Sequence, residues 1–338
     1  DGSSGAVTAD EVRLVEPTLT PEFEQVLAWA DEMRRLGVRA NADTAADAKR
    51  ARELGAEGIG LCRTEHMFFG ADREEAVREI FISGELARRD AASGETGGEH
   101  SDRFAAGLER LGAIQRADFE ALLEEMRGLP VTIRLLDPPL HEFIPPAAFE
   151  PELAAAVRAG DAAAEARARE RLEIARDLEE VNPMLGTRGA RLGLTLEGLY
   201  EMQARAIVEA AAAVGGSQVE IMLPLIAFAT ELRELRARVE RAIGGAAIPI
   251  GTMIELPRAC LIAGELAGDI DPGGLGAFLG IPGVANEDSR PSVGYLAEAK
   301  SVEKSSDARE LARVAANRHE VVQRRQRMGL AAEAGAGH

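Results

Sequence analysis

Four apolar runs in this chain each close on charged residues and lead into a turn or a helix-forming segment. They are Gly60-Leu61-Cys62-Arg63-Thr64-Glu65-His66-Met67-Phe68-Phe69, Thr132-Ile133-Arg134-Leu135-Leu136-Asp137, Asn182-Pro183-Met184-Leu185-Gly186-Thr187-Arg188-Gly189 and Gly251-Thr252-Met253-Ile254-Glu255-Leu256-Pro257. A strand that stops at an Arg or a Glu and hands over to a helix is the unit from which a parallel β/α barrel builds a site on one rim.

Candidate strands run over 38–42, 58–62, 131–136, 181–185, 219–224 and 248–254, separated by helical segments such as 44–54, 196–214 and 228–242. Thr44, with Asp47 three residues on, opens one helix; Thr20-Pro21-Glu22 opens an earlier one that stops at Gly37. A seventh strand at 276–280 is weakened by the Gly and Pro around it, and an eighth is not visible. The expected fold class is therefore α/β, a TIM-type barrel with six to seven recognisable strands, helical insertions and a C-terminal helix. Residues 89–103, rich in Gly, Ser and acids, read as a mobile loop, and 145–180 as a helical hairpin over the rim. The expected division is 1–19 as the end of a preceding unit, 20–300 as the barrel and 301–338 as a charged helical tail with a disordered end.

Composition excludes several functions. A net charge of −18 over 338 residues argues against nucleic-acid binding. No apolar run reaches 18 residues, and no basic segment precedes an apolar one at the N-terminus, so neither a membrane span nor a secretion signal is expected. Cys62 and Cys260 are far apart and lack metal spacing, which suits reduced thiols in a cytoplasmic protein. The only lysines are Lys49, Lys300 and Lys304, so a phosphate would have to be held by arginines gathered locally.

Arg63, Arg134 and Arg188 close their runs at what would be one rim. Three guanidinium forks there make a site for a compact dianion, or for a phosphate plus a carboxylate. The plainer reading pairs them with rim carboxylates such as Asp137 and Glu65. Glu255 at a strand end suits Mg²⁺, which takes few carboxylates plus substrate oxygens and water; its plainer role is a salt bridge to Arg258. His66 and His141 are candidate general bases, with structural roles the more common outcome for a lone His; His100 and His319 lie in the loop and the tail. Cys62 should alternate away from the mouth and pack.

Residues 1 to about 271 resemble the PEP-binding barrel of the PEP-utilising enzymes, in the pyruvate, phosphate dikinase branch. The resemblance rests on Val38-Arg39-Ala40-Asn41-Ala42-Asp43, the run from Gly60 to Phe69, Arg134-Leu135-Leu136-Asp137-Pro138-Pro139-Leu140-His141-Glu142-Phe143, the run from Asn182 to Gly189, and that from Gly251 to Arg258. It implies a phosphotransferase in which a phosphohistidine on a swivelling domain, charged at an ATP-binding domain, phosphorylates the enolate of pyruvate to give phosphoenolpyruvate (PEP). It further implies that Arg63 and Arg134 bind substrate and stabilise the transferring phosphoryl group, that Arg188 joins them, that Asp137 orients the arginines, and that Glu255 ligates Mg²⁺. A homodimer is a family expectation.

After about Asp271 the resemblance fails. The family's Gly-Thr-Asn-Asp strand, with the second metal ligand, has no counterpart in Pro272-Gly273-Gly274-Leu275-Gly276-Ala277-Phe278-Leu279. The Cys-Gly-Glu-His run that supplies the proton donor is absent, as are the swivelling and ATP-binding domains. The expectation is a fragment or a divergent relative, inactive alone. The alternative is a non-catalytic PEP- or pyruvate-binding relative or regulatory subunit; an aldolase-type lyase fits the Arg134-to-Phe143 run poorly.

Overall fold

A computed structural model describes residues 20–34, 37–69, 71–95, 97–179, 182, 186–271 and 278–279. These fall into two units divided between Gly37 and Val38. The first holds α1 (Pro21–Met33), opened by Thr20, whose hydroxyl accepts the Phe23 N–H at 3.3 Å. The helix expected to reach about residue 36 ends earlier, because Arg34 is already extended.

The second unit is built on a parallel sheet. Its strands are β1 (Ala40–Asn41), β2 (Ile59–Arg63), β3 (Pro130–Arg134), β4 (Gln218–Leu223), β5 (Ile250–Ile254) and β6 (Phe278–Leu279). Each pairs with the next in sequence order. Parallel neighbours need a crossover, and helices supply it. After β1 comes α2 (Ala45–Glu53); after β2, a 3₁₀ turn at Thr64–Phe68 and the hairpin of α3 (Ala71–Ser93) and α4 (Glu99–Glu125). Between β3 and β4 lie α5 (Leu140–Phe143), α6 (Glu150–Ala159), α7 (Ala162–Asp177), α8 (Ala190–Thr195) and α9 (Leu199–Val214). After β4 comes α10 (Ala229–Ile243), and after β5 α11 (Pro257–Leu261). α10 illustrates the packing: Leu232, Leu235, Val239 and Ile243 recur at helical spacing and are all buried.

Several expectations change. The mobile loop at 89–103 shrinks to the few residues between α3 and α4, since each helix continues through polar sequence with its buried side chains on one face. The hairpin at 145–180 is present as α6 and α7, divided by Gly160 in the left-handed region and by Asp161, which caps α7. The expected strand at 181–185 lies outside the described residues apart from Asn182, and β3 pairs directly with β4. The expected strand at 276–280 is present only as the two residues of β6. Residues 1–19, the rest of 272–300 and the tail at 301–338 lie outside the described residues. Among the described residues the sheet is open, and no helix is long and apolar enough to cross a membrane.

The register decides which side chains share a face. Ile59 pairs with Val131, yet Cys62 pairs with Ile133 and Arg63 with Arg134, so β2 carries one extra residue between Ile59 and Cys62. Without that irregularity Cys62 would stand beside Arg134. With it, Cys62 shares the buried face of Ile133, as expected, and Arg63 shares the face of Arg134. Thr132 and Arg134 continue on that face to Glu220 and Met222 of β4, and Met222 to Gly251 of β5. One layer below the rim the face is tied by Arg39, whose Nη1 and Nη2 donate to Glu220 at 2.8 and 3.2 Å, and by Thr132, whose hydroxyl donates to Glu220 at 2.6 Å.

Candidate active site

The C-terminal ends of β2 and β3 bring Arg63 and Arg134 side by side. Arg134 is 7 % exposed and bonds to Glu65 of the turn after β2, and its Nη1 lies 3.4 Å from Asp137 Oδ2. Asp137 also grips Arg188: Oδ1 accepts its Nε at 2.6 Å and Oδ2 its Nη2 at 2.9 Å. One carboxylate thus bridges two guanidinium groups. Its grip on Arg188 has the bidentate geometry that suits Arg.

Arg188 reaches this cluster from the turn before α8; residues 183–185 of the strand expected ahead of it lie outside the described residues. Gly189 makes the turn possible, with φ of 56° and an added Cβ meeting Leu225 Cβ at 2.9 Å and Asp137 Oδ1 at 3.1 Å. Gly189→Ala should therefore cost about 1–3 kcal/mol of stability, the range for a non-glycine residue held in a disfavoured conformation. Urea unfolding checks this, and an unchanged midpoint would contradict it.

Arg63 is held differently. Asp43, just after β1, accepts the Arg63 backbone N–H at 2.7 Å and its Nε at 3.2 Å, and takes His66 Nδ1 at 2.7 Å. Burial pushes the Asp43 carboxyl up, but the His66 hydrogen bond, the Arg63 N–H and the Arg63 charge outweigh it and leave the carboxyl below its usual range. Sequence reasoning gave Asp43 no role. Its signal was its place at the end of the Val38-Arg39-Ala40-Asn41-Ala42-Asp43 run. His66 thus holds Asp43, while His141 Nδ1 is buried without a hydrogen-bond partner among the described residues.

Glu255 follows β5, where its Oε1 accepts the Leu225 N–H at 2.8 Å. Leu225 has φ of 54°, a strained value for a branched side chain and one that clusters at working sites. Glu255 does not bridge to Arg258, whose guanidinium stacks 4.1 Å from the Phe228 ring centre. Burial raises the Glu255 carboxyl against the pull of the Leu225 N–H and of Arg134, which puts Glu255 in the same electrostatic cluster. Burial likewise raises Glu65, opposed by Arg134. Arg134 is lowered by burial but raised more by Glu65, Asp137 and Glu255, so it keeps its proton more firmly than an ordinary guanidinium.

The five expected site residues thus lie at one end of the sheet. Each of the three arginines has a carboxylate partner, so the plainer ion-pair reading holds alongside convergence. Among the described residues no group of three or more His, Cys, Asp or Glu could hold a metal.

Residues 18–277 match the family described as PEP-utilising enzyme, PEP-binding domain. The chain belongs to the PEP-utilising enzymes. It is similar to the pyruvate, phosphate dikinase of Rhizobium meliloti, with 45 % identity over 284 residues, covering 80 % of this chain and 29 % of that protein. It is also similar to pyruvate, phosphate dikinase 1, chloroplastic, of Arabidopsis thaliana, with 46 % identity over 281 residues, covering 79 % of this chain and 27 % of that one. The rice protein of the same name matches at 45 % over 280 residues, covering 79 % and 28 %. The chain therefore spans less than a third of the relatives it matches.

Proposed function

We propose that this chain is the PEP- and pyruvate-binding barrel of a pyruvate, phosphate dikinase, and that Arg63, Arg134 and Arg188 hold the anionic substrate. The single observation that carries this reading is the register of Arg63 against Arg134 at a sheet end, with Arg188 tied to the same point through Asp137. Parallel strands in sequence order, joined by helices, support a TIM-type barrel. The extent assigned to that barrel is 20–300, with 1–19 as the end of a phosphohistidine domain and 301–338 as a tail. A cytoplasmic location and a homodimer belong to the same proposal, although the Arabidopsis and rice relatives are named chloroplastic.

The chemistry follows from charge. Enolisation of pyruvate places a new oxyanion beside a carboxylate, and phosphoryl transfer adds a further anion, so the site must neutralise charge and fix geometry. In this reading Arg63 and Arg134 donate hydrogen bonds to the substrate and the transferring group, Arg188 binds phosphate, and Asp137 and Asp43 keep the guanidinium groups aimed. Glu255 fits a single-carboxylate Mg²⁺ site: Leu225 occupies Oε1, and Oε2 has no partner among the described residues. When bound, Mg²⁺ would supply Lewis-acid stabilisation of the enolate oxygen.

Calorimetry with PEP and Mg²⁺ tests the reading. Arg63→Ala should weaken PEP by about 1.5–3 kcal/mol, the range for lost hydrogen bonds to charged groups; unchanged affinity would remove Arg63 from the site. In a coupled assay with ATP, phosphate, Mg²⁺ and pyruvate, the chain alone is expected to make no PEP. The phosphohistidine motif, the ATP site and the proton-donor Cys run have no counterpart in its sequence. Turnover above the level of contaminating host enzyme would contradict that.

A further inference from the structure

The ladder between β3 and β4 ends with the Leu135 N–H donated to the Met222 carbonyl at 2.9 Å. Leu136 is the first residue beyond it, buried, between Arg134 and Asp137 in sequence. Buried backbone groups need partners, and a strand end has lost those of the sheet. Both partners of Leu136 come from α9. Gln203 Oε1 accepts its N–H at 2.8 Å, and the Tyr200 hydroxyl donates to its carbonyl at 2.8 Å.

The same helix reaches the other two arginine-bearing segments. Gln203 Nε2 donates to Thr64 Oγ1 at 3.1 Å, and Thr64 lies between Arg63 and Glu65. The Tyr200 ring packs against Gly193 of α8, the helix that begins two residues after Arg188; a Cβ at Gly193 would come within 2.6 Å of ring carbons. Tyr200, Gln203 and Thr64 are each fully buried. A leucine in place of Gln203 would fill similar space without desolvating an amide, so volume does not account for a polar group there. Both ends of the amide are used, one on each strand-end segment.

We propose that Tyr200 and Gln203 are positioning residues that set the spacing of the three arginine-bearing segments, an inference that rests on the PEP-binding reading above. A substrate held by groups from three segments is sensitive to their separation, and a displacement of about 1 Å can cost up to ~10²-fold. Tyr200 and Gln203 touch no substrate themselves. They act through Leu136, Thr64 and Gly193.

The test measures PEP affinity with Mg²⁺ by calorimetry on the full chain, below the melting transition of every variant. Tyr200→Phe, which keeps the ring and removes one hydrogen bond, and Gln203→Leu should each weaken PEP roughly tenfold, and Gly193→Ala should do the same by displacing the Tyr200 ring. Ile207→Val, on the same helix but outside the network, should lower Tm and leave the affinity unchanged. That contrast separates positioning from general stability. Hydrogen exchange at the Leu136 amide should quicken in Gln203→Leu and not in Ile207→Val. If Gln203→Leu fails to fold, Tyr200→Phe decides. Wild-type affinity in folded Tyr200→Phe and Gln203→Leu would overturn the positioning role alone. A wild-type chain that does not bind PEP would overturn the functional reading and this role together.

Discussion

Replacing Arg134 by methionine should lower the unfolding free energy by about 3–5 kcal/mol and abolish PEP binding, the larger of the two mutational effects expected here. Methionine nearly matches the side chain in volume, so little of the loss can be assigned to a cavity. The cost arises because Glu65, buried, would lose the guanidinium that compensates it, and Asp137 would be left with Arg188 alone. Glu65 is the more exposed to this loss: Arg134 is its ion-pair partner, and its Oε2 is already buried without a hydrogen bond among the described residues. Replacing Glu65 by glutamine as well should recover part of the stability, since the carboxylate left without its ion-pair partner is then gone. The pair Arg134→Met and Arg134→Met with Glu65→Gln therefore forms the measurement, by urea unfolding at neutral pH. A single-variant loss below about 1 kcal/mol would mean that solvent reaches this cluster and that surface ion-pair energetics apply.

Much of the scaffold was legible in the sequence because parallel strands buried on both faces read as short apolar runs, and most were found close to their true bounds. The run expected as a strand at 181–185 lies outside the described residues apart from Asn182, and Arg188 beyond it stands in the turn that Gly189 makes before α8. The α3–α4 hairpin was not read at its full extent because its low-complexity connection looked longer than it is. At the site, the residue types and their shared end of the sheet were readable, since a charge that interrupts apolar sequence announces itself. The extra residue in β2 was not readable: Arg63 and not Cys62 was expected at the rim, but nothing local in Gly58-Ile59-Gly60-Leu61 tells that a register shift is what puts it beside Arg134. Asp43, Tyr200 and Gln203 were also silent. Each works through a contact at least 20 residues away in sequence, and a lone polar residue in an amphipathic helix gives no hint of its partner.

The carboxylates explain why the arginine cluster is stable before any substrate arrives. Arg63, Arg134 and Arg188 face Asp43, Glu65, Asp137 and Glu255, so the rim has no excess of positive charge of its own. An arriving dianion has to share the guanidinium forks with these carboxylates. A cation at Glu255 would tip that balance, which is the electrostatic reason to expect PEP affinity to depend on Mg²⁺.

Asp43→Asn should cost about 1.5–3 kcal/mol at neutral pH, because a carboxylate that accepts from the Arg63 backbone, the Arg63 Nε and His66 becomes a neutral amide. Its pH dependence gives the sharper test. The folded-state value of Asp43 is depressed below the ordinary ~3.9 of an unfolded aspartate, so its contribution is complete above that value and is lost as pH falls through the depressed one. Glu65 has the opposite sign. Its folded-state value is raised above the ordinary ~4.3, so the chain loses stability as pH rises through that window and regains it on acidification. The wild-type chain should therefore gain slightly as pH drops from neutral towards the glutamate range, and then fall steeply below about pH 4. Asp43→Asn should keep the gain and flatten the fall, whereas Glu65→Gln should reduce the gain to the part that Glu255 supplies and keep the fall. Urea midpoints measured across that pH series for the three proteins distinguish the two carboxylates. Superimposable acid limbs for the wild type and Asp43→Asn would show that Asp43 is not the group that holds Arg63 and His66 in place.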